Sequence, residues 1–209
     1  MNYSPRDAQI VDDNGKVIER LDKVIFPSFW SQNASNTVAT KYFRRKDVPE
    51  TGREVDVRQL AGRVGRTIAQ WGLKQGYFND ENAKNLEYEV VAATIGQYGA
   101  FNSPVWFNLG LNEYGLKKDE DGFYHVNEKG ELVETENIHE NPQVSACFIA
   151  SPKDNIPSMM HVSAILSSRI FKQGSGIGGD WSHIRSAGEF VSGGGVASGA
   201  KRFMDVQDS

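Results

Sequence analysis

One cysteine and seven prolines stand among 209 residues, and no apolar run approaches the ~18 residues that a membrane-spanning helix needs. Alone, Cys147 closes no intramolecular disulfide, so a disulfide-stapled secreted scaffold is excluded. No charged-then-apolar leader is read at the N-terminus, and the expected setting is the cytoplasm, with no membrane partner. Positive charge is scarce as well: 23 Lys and Arg face 27 Asp and Glu, a net charge of −4. A surface for polymeric nucleic acid is therefore not expected, although a small phosphorylated ligand needs only a few local donors. The spacing of the four histidines and the cysteine supports neither a zinc site nor a Cys-His nucleophile pair, so no metal ligand is assigned.

What is present is an ordinary globular mix, 39% apolar and 11% aromatic, which excludes wholesale disorder. Charge and glycine are both clustered. Residues 117–140 hold eight acids against three lysines, leaving the rest of the chain close to neutral. Nine of the 21 glycines lie between Gly174 and Gly199, a density that asks the backbone for close approaches or positive-φ turns.

Along the chain, residues 1–52 lack sustained periodicity, and Pro5, Pro27, Pro49 and the polar stretch 31–40 read as extended or irregular structure. From Asp56, a plausible N-cap, Val57, Leu60, Val64, Ile68 and Trp71 recur at helical spacing, and Gly76 is placed to stop the helix. A second helix from about Asp80 carries Ala83, Leu86, Val90 and Ala93 on one face, so an antiparallel pair is expected. Phe101-Asn-Ser-Pro-Val-Trp-Phe-Asn108, bracketed by Gly99 and Gly110, reads as a loop entering a buried strand. Residues 111–140 read as an exposed acidic hairpin. Val144–Ile149, bounded by Pro142 and Pro152, is a candidate buried strand, and a helix marked by Val162, Ile165, Leu166 and Ile170 ends at Gly174. Phe203, Met204 and Val206 look like the first turns of a helix that begins after Gly199, and a chain stopping inside such a pattern reads as part of a divided protein. The four tryptophans, Trp30, Trp71, Trp106 and Trp181, are assigned to the core or to subunit contacts.

Two glycine motifs invite nucleotide readings. Gly174-Ser-Gly-Ile-Gly-Gly179 fits G-x-G-x-x-G, but a helix rather than a strand precedes it, which argues against a Rossmann turn. Ser192-Gly-Gly-Gly-Val-Ala-Ser-Gly199 lacks the Lys-Ser/Thr of a P-loop. Lying between ordered-looking segments and flanked by Arg185, Lys201 and Arg202, it suits a loop folding over a nucleotide. Cys147, taken alone in an apolar run, reads as a small core hydrophobe.

Taken in order, Phe101–Asn108, Ser145-Ala-Cys-Phe-Ile149, Phe171-Lys-Gln-Gly-Ser-Gly-Ile-Gly178, Ile184-Arg185 and Ser192–Gly199 resemble the catalytic subunit of ribonucleotide reductase. Val-Trp-Phe after Asn-Ser-Pro and the acidic insertion favour the adenosylcobalamin-dependent class II over the iron-dependent class I. The resemblance implies an α/β (α+β) fold: an N-terminal arm and helical region over 1–98, then the first part of a ten-stranded α/β barrel over 99–209, with the acidic hairpin inserted at 111–140. It implies that Cys147 is one of two redox thiols, and that Ser103, Ala146, Cys147 and Gly176 meet the substrate. Asp154, Arg185, Val191, Gly193, Gly194 and Gly195 then belong to the deoxynucleotide effector site. Adenosylcobalamin, a ribonucleotide, a deoxynucleoside triphosphate effector, a thioredoxin-like reductant, a C-terminal chain of the same reductase and a second copy in a homodimer are the implied cofactor and partners. The alternatives are a non-catalytic deoxynucleotide-binding fragment and the same fragment of a class I enzyme.

Overall fold

In the computed structural model, which describes residues 1–117 and 122–208, the N-terminal segment is regular. Strands β1 (Tyr3–Val11) and β2 (Val17–Pro27) pair antiparallel, where the sequence reads extended or irregular with no sustained periodicity. Register shifts between Arg6 and Ala8 and between Ile10 and Val11 break the two-residue alternation that would have shown them. The turn is closed by Asp12, whose Oδ1 accepts from the Asn14 and Lys16 amides at 2.9 Å each. Ala8, Leu21, Val24 and Phe26 face inward. The polar stretch that follows is helix α1 (Gln32–Lys41), opened by Ser31, whose hydroxyl accepts from the Ala34 amide.

Helix α2 (Val57–Lys74) begins at Asp56 as read, with a capping box: Asp56 accepts from the helix while Gln59 Oε1 accepts from the Asp56 amide at 3.1 Å. Val57, Leu60, Ala61 and Val64 are buried, and Trp30, Ala39 and Phe43 complete the same core. Helix α3 (Asp80–Ile95), capped by Asn79, packs along α2. Its inward face differs slightly from the expected one: Ala83 and Ile95 are buried, whereas Ala93 is exposed. Trp71 is also largely outside the core at 40% exposure, because it sits in the last turn of α2.

The segment Phe101–Asn108 is not a strand. Ser103–Asn108 forms helix α4, with Asn102 as N-cap accepting from the Val105 amide and Pro104 in the first turn. Asn-Ser-Pro is thus a helix-start signal, and the aromatic run fills helical positions. Val105, Trp106 and Leu109 join the core. A 3₁₀ turn follows at Leu111–Tyr114.

At the centre of this region lies a buried ion pair, Arg63 Nε to Glu54 Oε1 at 2.8 Å, with both side chains all but inaccessible. Glu54 also accepts from the Arg44 amide at 2.6 Å and the Tyr114 hydroxyl at 2.8 Å. Arg63 donates to the Trp106 carbonyl at 2.6 Å and to the Leu109 carbonyl. Gly110, at φ +77°, lies so close that a Cβ there would stand 2.6 Å from the Arg63 carbonyl oxygen.

The expected hairpin is present as β3 (Tyr124–Val126) and β4 (Leu132–Glu134); its acids Asp119, Glu120 and Asp121 lie outside the described residues. The chain divides into two units, Met1–Val144 and Ser145–Ser209. The spatial division therefore falls beyond position 98, because α4 and Leu109 pack with α2. In the second unit, β5 (Cys147–Ala150) leads into helix α5 (Ile156–Met160), a π-helical stretch (His161–Leu166) and helix α6 (Ser167–Lys172). Strand β6 (Gly176–Gly179) returns parallel to β5, and helix α7 (Lys201–Gln207) follows Gly199 as expected. The sequence expects β5 to be buried, yet Cys147 is exposed and Ile149 is 77% exposed, since β6 is its only strand neighbour among the described residues. The described strands form three two-stranded sheets and no closed barrel. No described helix is long and apolar enough to cross a membrane.

Two outcomes follow from the buried pair. Replacing Arg63 with Met leaves Glu54 charged and unpaired, a change expected to cost about 3–5 kcal/mol, read as a lowered urea midpoint at constant m-value. Burial, reinforced by the Glu54 charge, pushes the Tyr114 phenol above its ordinary range. The folded state therefore holds this proton more tightly than the unfolded chain. Its contribution to stability is complete below about pH 10 and is lost as pH rises beyond that. In Tyr114→Phe, the urea midpoint should fall less between neutral pH and about pH 11 than in the parent.

Candidate functional site

Strands β5 and β6 are aligned so that Cys147 stands opposite Gly176, followed by Phe148–Ile177, Ile149–Gly178 and Ala150–Gly179. The Gly176 amide donates to the Ala146 carbonyl at 2.8 Å, and the Ser175 hydroxyl donates to the Ser145 carbonyl at 2.6 Å. Ala146, Cys147 and Gly176 are thereby brought side by side, with an exposed free thiol flanked by a residue that has no side chain to cover it. Gly176, Gly178 and Gly179 lie in the strand itself and Gly174 in the turn that leads from α6, so the Rossmann geometry is absent here. Just past β6, Asp180 accepts from Ser182, which holds its carboxyl below the ordinary range.

The second constellation is built on the loop after β5 and the turn after β6. Arg185 Nε donates to Asp154 Oδ2 at 2.6 Å, across 31 residues of sequence. Asn155, next to Asp154, caps α5 by accepting from the Ser158 amide at 3.0 Å, which fixes the backbone at the start of the helix beside Asp154. The pair borders a cavity of ≈250 Å³ whose apolar wall includes Met159, Ile184 and Phe203. Met159 and Ile184 are buried with Trp181 in a small core against which Phe203 packs.

The rest of the cavity wall comes from a hairpin-like loop. The Val191 amide donates to the Gly195 carbonyl at 3.1 Å and the Gly194 amide to the Val191 carbonyl at 3.0 Å. Flanking bonds run from Ala197 to Glu189 and from Gly188 to Ala197. Val191 and Ala197–Gly199 border the cavity; Gly193, Gly194 and Gly195 form the exposed tip of the turn and do not line it. Gly199 sits at φ +77°, and a Cβ there would lie 2.9 Å from the Ala187 amide nitrogen, so this position accepts only glycine without rearrangement.

An apolar wall beside one carboxylate and one guanidinium is suited to a phosphorylated heterocycle: the ring packs, a sugar hydroxyl donates to the carboxylate, and the guanidinium takes phosphate oxygens. Met159 is unmarked in the sequence, and Ile184 and Phe203 stand there in a short motif and an amphipathic helix, with no cavity role.

Ser103 belongs to the first unit, at the first position of α4, where its Oγ lies 3.2 Å from the Tyr42 hydroxyl. Nothing local in the sequence links positions 42 and 103.

Comparison with known proteins matches two stretches of the chain. Residues 145–209 match the barrel domain of ribonucleotide reductase, and residues 4–96 match the family described as class II vitamin B12-dependent ribonucleotide reductase. The chain belongs to the ribonucleotide reductase family. Within it, the similarity is to the vitamin B12-dependent enzymes: 41% identity over 206 residues to that of Rhodopirellula baltica, covering 98% of this chain and 20% of the relative. The enzymes of Agrobacterium fabrum and Streptomyces coelicolor are 32% and 37% identical, over 96% and 89% of this chain and 19% and 16% of their own lengths. The chain thus spans about a fifth of the length of the curated relatives it matches.

The Gly199 geometry makes a direct prediction. Gly199→Ala forces the backbone from its left-handed conformation or pushes Ala187 away. The expected loss is about 1–3 kcal/mol, together with a blue-to-red shift of Trp181 emission as the small core around it loosens. Unchanged stability and emission would show that the turn tolerates a side chain.

Proposed function

We propose that this chain forms part of a class II ribonucleotide reductase, supplying one of the two redox thiols, part of the substrate surface and one wall of the effector site. The pairing of Cys147 with Gly176 beside Ala146 carries this reading. A thiol that reduces a bound sugar needs to be uncovered, unoxidised and on a defined strand, and Cys147 is an exposed free cysteine on β5. In the reaction proposed, two thiols become a disulfide, their two electrons and two protons replacing the ribose 2′-hydroxyl with hydrogen and releasing water. With one cysteine in 209 residues, the second thiol comes from reductase sequence outside this stretch. A thioredoxin-like reductant then restores both.

In this reading β5 and β6 are two strands of the family's ten-stranded barrel, completed by the remaining part of the reductase as a C-terminal chain, and the assembled enzyme is a homodimer. Asp154 and Arg185 receive the sugar and phosphates of a deoxynucleoside triphosphate, and the loop bearing Val191, Gly193, Gly194 and Gly195 carries the effector's influence toward the substrate. Ser103 contacts the ribonucleotide from α4. Adenosylcobalamin, when bound, supplies the radical initiator that leads to a thiyl radical. A second reading, a deoxynucleotide-binding piece without catalysis, is favoured by the fact that the Asp154–Arg185 cavity is complete within the second unit.

The test is Cys147→Ser in the complemented enzyme with adenosylcobalamin and reductant. Repeated turnover should vanish while deoxynucleotide binding, followed by calorimetry, persists. Sustained turnover by the serine variant refutes the redox role, and tight deoxynucleotide binding with no activity in any complementation supports the second reading.

A further inference from the structure

In the first unit, Ser103 is joined by a side chain that the functional reading leaves unused, Tyr42. Tyr42 directly follows α1, its amide bonded to the Val38 carbonyl at 3.0 Å. Its ring stacks on Phe107 of α4, with centroids 5.5 Å apart and planes inclined by 21°. Backbone and ring together bring the Tyr42 hydroxyl to 3.2 Å from Ser103 Oγ, and the contact is partly buried. The Ser103 backbone is equally constrained, between the Asn102 cap and Pro104.

A serine hydroxyl has one proton and a free rotor, so in the absence of a partner it points nowhere in particular. Either oxygen of this pair is able to donate. If Ser103 donates to Tyr42, its proton is consumed and it offers a ligand only lone pairs. If Tyr42 donates to Ser103, the serine proton is left for an acceptor, and the two bonds in series strengthen one another. Phosphate oxygens only accept and a ribose hydroxyl accepts as well as donates, so a nucleotide acceptor facing Ser103 selects the second arrangement.

Resting on the assignment of Ser103 to the substrate surface, we infer that Tyr42 is a positioning residue for the ribonucleotide: it donates to Ser103 Oγ and directs the serine proton at the substrate. The phenol touches no substrate atom itself. The stack on Phe107 keeps the donor in place, so the ring and the hydroxyl have separable roles.

The complemented holoenzyme carrying Tyr42→Phe, Ser103→Ala or both distinguishes these roles, because phenylalanine keeps the stack and removes only the donor. Tyr42→Phe should raise KM for the ribonucleotide roughly three- to tenfold, with KM rising more than kcat falls and the urea midpoint unmoved. The double variant should be no worse than Ser103→Ala, since the tyrosine acts only through the serine. A wild-type KM in Tyr42→Phe alongside a raised KM in Ser103→Ala overturns the positioning role and leaves Ser103 in place. A wild-type KM in Ser103→Ala removes the substrate assignment of Ser103 and the inference with it. Additive effects, or a KM rise accompanied by a lowered midpoint, mark Tyr42 as purely structural and also overturn the proposal.

Discussion

Two opposite charges, those of Glu54 and Arg63, are withdrawn from water together in the first unit, and the segment after α1, the end of α4 and the 3₁₀ turn all bond to that pair. Desolvating a carboxylate and a guanidinium costs several kcal/mol each, and mutual attraction offsets this only when the remaining donors and acceptors are also satisfied. Here they are: the Arg44 amide and Tyr114 hydroxyl serve Glu54, and the Trp106 and Leu109 carbonyls serve Arg63. Those two carbonyls lie at the C-terminal end of α4, where a helix leaves its own acceptors unmet. A six-residue helix is not stable by itself. The guanidinium therefore does for α4 what a longer helix would do for itself, and Asn102 and Ser103 at its other end inherit their positions from it.

The second unit is organised differently. It has a small buried core of Met159, Trp181 and Ile184, and much of its apolar surface is open, including Ile149, Ile156 and Phe171. Its order rests instead on backbone bonding between β5 and β6 and on the Asp154–Arg185 pair. Unlike Glu54–Arg63, that pair is only partly buried, so its two charges remain available to a ligand at modest cost. The contrast separates an ion pair that builds the fold from one suited to recognition.

How much of this was legible in the sequence depended on whether the signal was local. Helices α2 and α3 declare themselves through 3.6-residue periodicity and, for α2, through the cap Asp56. Strands β1 and β2 hide because bulges shift their inward positions, and α4 reads as a strand because its aromatic composition outweighs the Asn-Ser-Pro start. Strand β6 has no β-branched or aromatic pattern, only Ile177 among glycines, so nothing in its residues marks it as a strand. The ionic core was invisible for a related reason, since Arg and Glu are read as surface residues unless their partners are known. Of the candidate site, Asp154, Arg185, Cys147 and Gly176 came through a resemblance of ordered motifs, and the structure pairs the first two and the last two. The walls of the cavity and Tyr42 needed tertiary contacts that no spacing encodes.

A strand made mostly of glycine has a further consequence. Register in a sheet is normally selected by side chains that fit one alignment and clash in others, and glycines exert little of that selection. What sets Cys147 against Gly176 is then mainly the covalent path between them, the helical connection from Ile156 through the π-helical stretch to Lys172, with the Ser175–Ser145 bond as a stop. The connection behaves as a ruler. A π-helical turn holds one residue more than an α-helical one, so the stretch His161–Leu166 takes up length without altering where the ruler ends. The alignment of the thiol with its neighbour is in this sense measured along the helix rather than chosen at the sheet.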